Sequence, residues 1–215
     1  MRQDLKQRLQ ALMDKCGPRR GQVASLIRFL GYNTEFLTAP ASHRYHMNQE
    51  EGLLEHSLNV AENLLKIKEC LFPEISDESC IIVGLFHDLG KGGSPGHPYY
   101  VEKEPTPKQK AAGYKATPPY VYNEDIVKMH VPFRSLYHVM RHIEISETEA
   151  QAIMCHDGQY VPENKFVACN EEPLTLLVHY ADSWSGFVIE KSKGDRDKGI
   201  VYKTGEEESA VKLEE

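Results

Sequence analysis

An imidazole and a carboxylate stand side by side where a hydrophobic run ends. The run is IIVGLFHDLGK, from Ile81 to Lys91, and the pair is His87 and Asp88. Both side chains bind divalent cations directly, and a bound cation offsets the free energy lost when such groups leave water. Because many helices end in polar residues that only cap or solvate them, the pair by itself is weak evidence. The pair becomes strong evidence for a metal site only if the sequence supplies further ligands of the same kinds.

Three other segments supply such ligands. His56 follows GLLE, His156 lies in CHDG, and Asp182 lies in HYADSW. A histidine that is simply buried and hydrogen-bonded in the core is the alternative for each imidazole taken alone, but the combination favours one shared site. These donors match Mn, Fe, Co, Ni or Mg, with Zn possible. Three or four protein ligands leave an octahedral ion open positions for water and a substrate oxygen, as metal-assisted hydrolysis requires.

Helices must bring these ligands together, and the hydrophobic pattern is mostly helical. Two amphipathic helices are predicted at the N-terminus, followed by one from near Glu50 that carries His56 and one from Ser76 or Asp77 to Asp88. Further helices are predicted over 133–141, 147–156 and 173–189. No alternating run is long enough to require a central sheet, so an all-α chain is predicted, with at most a short strand pair at TAPAS or VACNE.

Composition narrows the function classes. The chain has 215 residues, enough for one sizeable core, and a formal net charge of -7, without the global basic excess typical of duplex-binding proteins. A local basic groove stays open. Five scattered cysteines without a close pair indicate reduced thiols and not a disulfide framework or a zinc knuckle. The charged N-terminus has no signal-peptide core and no transmembrane candidate follows, so we expect a soluble cytoplasmic protein without a membrane partner.

At this point the ligand order resembles a known family. His56, then His87-Asp88, then Asp182 is similar to the H...HD...D pattern of the HD-domain metal-dependent phosphohydrolases, an all-helical superfamily. The segment APASHRYHMNQEEGLLEHSLNVAENL resembles the one around the first family histidine, LFHDLGK resembles the HD-x-GK variant, and LVHYADSWSG resembles the closing H-x-AD. The similarity extends over about residues 38–186, most of the chain.

This resemblance implies an all-α HD-domain helical bundle as the main domain. We expect one domain over residues 1–190, with a core at about 38–186 and a helical N-terminal extension at 1–37. A glycine- and proline-rich insertion, residues 92–123, carries five tyrosines and is either a lid that stacks on a base or a poorly packed segment. Residues 191–215 are expected to form a polar tail that is solvated or loosely docked.

The resemblance also implies which side chains hold metal. The primary ligands would be His56, His87, Asp88 and Asp182. Relatives with two metals add histidines between the HD pair and the last aspartate, and their HD aspartate bridges the ions. His156 and His130 fall where those histidines are expected, although the bulky Val131-Pro132-Phe133 replaces the small residues that usually follow the one at position 130. One or two divalent ions are therefore expected.

Three cationic side chains are predicted to contact the substrate. Lys91 follows Asp88 across a Leu-Gly turn, which lets its ammonium reach a phosphate held on the cation; the alternative is a solvated lysine, favoured by the helix C-terminus. Arg44, in the polar loop before His56, and Arg134 are weaker phosphate-binding predictions. Asp88 would orient the attacking water or accept its proton, so Asp88 and Lys91 are the predicted catalytic residues.

The predicted activity is hydrolysis of a phosphoester, of a nucleotide or a related small molecule, by metal-activated water. Two alternatives stay open: a phosphodiesterase or exonuclease acting on single-stranded nucleic acid, and a non-enzymatic metal-binding sensor or scaffold module. GLLEH and HYAD motivate the first, since they resemble segments of HD-domain exoribonucleases and relaxase-associated domains. The LGKGG that follows the HD aspartate lacks the acidic pair of the alarmone hydrolases, which argues against that activity.

Overall fold

Helical periodicity accounts for most of the fold. The computed structural model describes residues 1–159 and 161–190. Its helices are α1 Gln3–Lys15, α2 Arg20–Asn33, α3 Gly52–Leu71, α4 Asp77–Phe86, α5 Pro107–Ala111, α6 Val131–Met140, α7 Glu147–Cys155 and α8 Pro173–Trp184. Short 3-10 turns occur at Leu89–Gly92 and Pro162–Val167, and α8 continues into a π-helical turn over Ser185–Ile189. The all-α prediction is confirmed.

The helices α3 and α4 form the centre of the fold. The Ser76 side chain caps α4 by accepting a hydrogen bond from the Ser79 amide. Every residue from Cys80 to Phe86 is buried, so other elements surround this helix. At Gly84 an added Cβ would lie 2.5 Å from the Cα of Ala61, so the two backbones can approach this closely only because the position is glycine.

The later helices close over this pair. α8 packs against α3 and α7, and α6 packs against α7 and the turn Leu89–Gly92. The Gly90 amide donates to Ser135 Oγ at 2.8 Å, and an added Cβ at Gly90 would lie 2.3 Å from the Val131 carbonyl oxygen. The first turn of α6 therefore sits directly on the turn that follows Asp88.

The N-terminal helices share the same hydrophobic core. Leu5 of α1 and Leu26 of α2 are fully buried, in one cluster with Leu58 of α3 and Ile81 of α4. Polar contacts add to this packing, because Arg8 of α1 bonds Glu62 and Asn59 of α3. The segment predicted as an extension thus contributes directly to the core that supports α3 and α4.

Arg19 ties the start of α2 to two later helices. Its guanidinium donates to both carboxylate oxygens of Glu149 on α7, at 2.8 and 2.7 Å, and to Glu78 on α4 at 2.9 Å. Glu149 is buried and also completes a capping box with Ser146. A buried carboxylate stays ionised when a cation and an amide compensate its loss of water.

We expect Glu149→Gln to lower the free energy of unfolding by about 1–3 kcal/mol at neutral pH, because it removes the anion facing Arg19. Glutamine still forms the capping box, so the loss reports the ion pair. Burial alone raises the pKa of Glu149, but Arg19 and the Ser146 amide lower it overall below its ordinary value of 4.5. A carboxyl whose pKa is lowered in the fold stabilises it above the unfolded pKa and loses that contribution as pH falls through the folded pKa.

Urea unfolding of the wild type and the variant from pH 7 downward measures this effect. The difference between them should be constant near neutrality and shrink below about pH 4.5, the ordinary pKa. Glu147→Gln, at an exposed neighbour, is the matched control. A difference that does not change with pH would show that the charge of Glu149 is not what stabilises the fold.

The insertion is packed through its tyrosines. Strand β1, Tyr100–Glu102, pairs antiparallel with β2, Tyr120–Tyr122, so that Tyr100 lies opposite Tyr122. The Tyr122 ring centre lies 5.6 Å from those of Tyr99 and Tyr100 and 4.8 Å from that of His43. These contacts hold the two ends of the insertion, whereas most of residues 102–115 between them are exposed. The short strand pair forms here and not at TAPAS or VACNE.

Three further predictions concern membrane-spanning helices, the cysteines and the C-terminal tail. No helix among residues 1–159 and 161–190 is long and apolar enough to cross a membrane. All five cysteines are free thiols. The polar tail predicted for residues 191–215 lies outside the described residues.

Candidate metal centre

Five predicted ligands come together where four helices meet. His56 lies in the second turn of α3, His87 and Asp88 follow α4 directly, and His156 follows α7 directly. Asp182 lies in the last turn of α8. All but Asp182 are at most 3% exposed. Buried imidazoles and carboxylates at one point are costly unless they neutralise one another or share a cation.

Two of the histidines are oriented by their own helices. Nδ1 of His87 bonds the Gly84 carbonyl at 2.9 Å, and Nδ1 of His156 bonds the Ile153 carbonyl at 2.8 Å. Because a carbonyl only accepts, Nδ1 must carry the proton in both rings. Nε2 is then the nitrogen available to a metal, and in both rings it points into the cluster.

Glu190 gives His56 the same orientation and was missed by the sequence analysis. Its carboxylate oxygens lie 3.0 and 3.1 Å from His56 Nδ1, and one of them accepts a hydrogen bond from Asn59 at 2.8 Å. The Glu190 side chain is fully buried. A carboxylate on the outer nitrogen of a ligating histidine fixes its tautomer and makes the inner nitrogen a stronger donor.

The inner donor atoms are spaced as ligands of one ion would be. His56 Nε2 lies 3.3 Å from His87 Nε2 and 3.1 Å from Asp182 Oδ1, and the latter two atoms are 3.9 Å apart. Metal bonds of about 2.0–2.2 Å separate neighbouring ligands by about 3 Å and opposite ones by about 4 Å. The residues present therefore fit a divalent ion.

Asp88 lies between two such groups. Its Oδ2 is 3.7 Å from His56 Nε2 and 3.6 Å from His87 Nε2, whereas its Oδ1 faces His156 Nε2 at 3.5 Å. Of three groups of possible ligands, Asp88 is close to two: one is His56, His87 and Asp182, and another is His87, Asp88 and His156, whereas the third, His46, His56 and Glu190, lies at the outer nitrogen of His56. A carboxylate with one oxygen toward each group has the geometry needed to bridge two ions.

The electrostatics keep the carboxylates charged. Burial by itself would raise the pKa of Asp88, but Lys91 and His87 hold it well below its ordinary value. Burial likewise opposes ionisation of Asp182, and the contact with His56 outweighs it and lowers that pKa. Burial lowers the pKa of His87 to about 4, so this imidazole is neutral and can bind a cation.

The carboxylates have the opposite effect on the other two imidazoles. Burial disfavours the charged form of His56, but hydrogen bonds to Asp182 and Glu190 raise its pKa to about 10. For His156 burial again lowers the pKa, and Asp88 raises it to about 9. Both rings are therefore held by anions on more than one side, as expected where a cation normally completes the site.

The other predicted site residues are distributed unevenly. Lys91 Nζ donates to Asp88 Oδ2, beside the cluster. Arg134 is buried in α6, on a cleft next to the cluster. Arg44 is exposed on the loop before α3. His130 is also exposed and joins none of the groups of possible metal ligands found among the described residues. It directly precedes α6, and its ring lies against Phe133.

A cleft of about 680 Å³ adjoins the cluster and does not contain it. Asp157 lines this cleft, and its carboxylate lies 3.7 Å from His156 Nε2. Tyr99 and Tyr122 of the insertion line it as well. Within the cluster Asp182 is the most open ligand, with a side chain 25% exposed.

Comparison with known proteins agrees with this geometry. The sequence matches the HD domain family over residues 53–182, which begins before His56 and ends at Asp182. No curated protein and no solved structure matches the chain. HD-domain proteins are generally metal-dependent phosphohydrolases. Since the match covers more than half of the 215 residues, the chain belongs to the HD-domain family.

Proposed function

We propose that this protein is a metal-dependent hydrolase of phosphoesters, acting on a nucleotide or a related small phosphorylated molecule. The observation that carries the proposal is the convergence of His56, His87, Asp88 and Asp182, with inner donor atoms 3.1–3.9 Å apart and outer histidine nitrogens already bonded. Such a prearranged donor set favours the binding of an ion, and family membership favours hydrolysis as its use.

His56, His87, Asp88 and Asp182 would hold the ion. When bound, a divalent ion polarises a phosphoryl oxygen and makes a water more acidic. Asp88 orients the attacking water through Oδ1, the oxygen that Lys91 does not bond. Lys91, which bonds Asp88 at rest, turns its ammonium to the phosphoryl group as negative charge grows there. Burial of the cluster excludes bulk water and strengthens both contacts.

A second ion is part of the proposal through His156. Its inner nitrogen faces the Asp88 oxygen that points away from His56 and Asp182. Asp157 adds a second carboxylate on the same side, 3.7 Å from that nitrogen. His130 has no such placement, so the second ion would be held by His87, Asp88 and His156, with Asp157 nearby.

One observation favours the alternative substrate, single-stranded nucleic acid. Two tyrosines of the insertion, Tyr99 and Tyr122, line the cleft that adjoins the cluster. Aromatic rings next to cations bind single-stranded nucleic acids by stacking. The net charge of -7 opposes this reading, since it gives no long-range attraction for a polyanion.

The test is hydrolysis by the full chain after reconstitution with Mn, Fe, Co, Ni, Mg or Zn. The substrates are a phosphomonoester, a phosphodiester, mononucleotides, cyclic dinucleotides and a labelled oligonucleotide. We expect hydrolysis that disappears with a chelator and returns with one of these ions. A protein that binds the ion stoichiometrically and hydrolyses none of the substrates would instead be the sensor or scaffold module.

Cellular location is part of the same proposal. Five free thiols fit a reducing compartment, so we place the protein in the cytoplasm.

A further inference from the structure

Arg134 is a buried cation that forms no ion pair within residues 1–159 and 161–190. It is 2% exposed, its guanidinium carbon lies 5.3 Å from the centre of the Tyr99 ring, and Nη2 donates to the Val127 carbonyl. Its Nη1 is buried and has no hydrogen-bond partner. Burying a charged donor in this way costs free energy unless an acceptor compensates it.

The same arginine lines the cleft of about 680 Å³ beside the metal cluster. The other charged side chains of that cleft already have partners. Lys128 bonds Glu124 at 2.8 Å, and the Asp157 carboxylate lies 3.7 Å from His156. Neither carboxylate of the cleft therefore pairs with the Arg134 guanidinium, which has no anionic partner among the described residues.

The start of α6 gives the cleft a second feature that favours anions. His130, Val131 and Pro132 line it, and no side chain caps the helix at His130. Pro132 has no N–H, so the first turn offers the amides of Val131 and Phe133, which have no partner within the helix, and the helix dipole makes that end positive. Phosphate groups bind at such ends. Arg134, one turn later on the same helix, adds a full charge to this partial one.

The cleft is also fixed relative to the metal cluster. An added Cβ at Gly90 would lie 3.1 Å from the Arg134 Cβ, and the Gly90 amide bonds Ser135. Gly90 belongs to the turn that connects Asp88 with Lys91. An anion held by Arg134 would thus keep a constant position relative to a phosphate held at the cluster.

We propose that this cleft is a subsite for a second phosphate of the substrate, held by Arg134 and the first turn of α6. The proposal rests on the proposed function, since the first phosphate is the one at the metal cluster. A guanidinium binds phosphate through two parallel hydrogen bonds, and the exposed ring of Tyr122 can stack on the adjoining nucleoside. The second phosphate belongs either to a nucleoside diphosphate or to the next unit of a phosphodiester strand.

Equilibrium titration of the full chain as purified tests the subsite. The probes are inorganic phosphate, a nucleoside 5′-diphosphate with a methylene bridge, and a 5′-phosphorylated dinucleotide with a phosphorothioate linkage, whose replaced linkages resist hydrolysis. We expect Arg134→Gln to weaken at least one two-phosphate probe by about tenfold or more, the loss of a charge-assisted bidentate contact. Inorganic phosphate can occupy the metal cluster instead, so its affinity should fall by less than about threefold. The probe with the larger loss identifies the source of the second phosphate.

Arg141→Gln is the matched control. Arg141 lies at the other end of α6 and also stacks on a tyrosine, with its guanidinium carbon 5.1 Å from the centre of the Tyr137 ring. Its replacement should leave all three affinities unchanged. Equal affinities of the two variants for both two-phosphate probes would overturn the proposal, and so would an equal loss for inorganic phosphate.

A measurement on the wild type covers the case in which Arg134→Gln does not fold. The side-chain Nε resonance of Arg134 should shift when the methylene-bridged diphosphate is added, and an unmoved resonance would overturn the proposal. The hydrolysis assay stays separate from this result. Binding that depends on Arg134 without any hydrolysis contradicts the proposed function alone, whereas metal-dependent hydrolysis with no dependence of binding on Arg134 contradicts the subsite alone.

Discussion

Asp88→Asn is expected to reduce metal-dependent hydrolysis by more than about 100-fold and to lower the number of bound ions. The asparagine has the same shape, but its amide nitrogen cannot bind a cation and its oxygen carries no full charge. Asp88 lies near His56 and His87 through one oxygen and near His156 through the other, so the change affects both of the possible ion positions beside it. Replacing residues that only support metal ligands already costs about 10–100-fold, and a direct ligand should cost more.

The fold should survive this substitution. Lys91 loses its partner, but its side chain is 21% exposed and can reach solvent. Thermal unfolding and circular dichroism check the fold, and metal analysis after gel filtration checks the ions. Asp125→Asn, at an exposed carboxylate, is the control that should retain full activity. Unchanged hydrolysis in Asp88→Asn would refute the metal site.

Glu190→Gln is expected to weaken metal affinity by about 10–100-fold, although Glu190 is not one of the four proposed ligands His56, His87, Asp88 and Asp182. Glutamine keeps the shape and can still accept a hydrogen bond from His56 Nδ1, but it removes the negative charge that makes Nε2 a strong donor. Competition with a chromophoric chelator measures the affinity without any substrate. Nitrogen chemical shifts of the His56 ring measure its tautomer in the same variant.

Two further variants separate positioning from general stability. Asn59→Ala removes the second donor to the Glu190 carboxylate, so it should act in the same direction, more weakly and not additively with Glu190→Gln. Glu144→Gln, at an exposed carboxylate, should change nothing. If Glu190→Gln lowers the unfolding temperature but leaves metal affinity and the ring shifts unchanged, the carboxylate has only a structural role.

Local patterns were sufficient for much of the helical fold. The helix that carries His56 and the one before His87 follow from apolar spacing and from the cap at Ser76, which are properties of neighbouring residues. The placement of His56, His87 and Asp182 together follows from helices that must pack their apolar faces on one another. For this reason the sequence alone predicts that these three residues are ligands of one site.

Features that depend on distant parts of the chain were not predictable in this way. The strands at Tyr100–Glu102 and Tyr120–Tyr122 are three residues each and pair across a long gap, so neither has a pattern of its own. The position of His130 depends on where that insertion returns the chain to α6. The position of Glu190 depends on the π-helical turn Ser185–Ile189, which changes the direction of the side chains from Ser185 to Glu190.

A signal for Glu190 was nevertheless present. It lies eight residues after Asp182, close to two helical turns, so a helix continued past Trp184 would bring an acidic side chain back toward the same side. The last predicted helix ends at Ile189, one residue before Glu190. An acidic residue two turns after a ligand is worth testing as a support for that ligand.

The unequal exposure of the ligands has a consequence for how ions are exchanged. His56, His87, Asp88 and His156 are closed to solvent, whereas the Asp182 side chain is 25% exposed at the mouth of the cluster. An ion would enter and leave past the Asp182 carboxylate. Its release would require the buried ligands to dissociate from it one after another. Slow release would make the ion found after purification a record of the supply during folding, and not of the relative affinities at equilibrium.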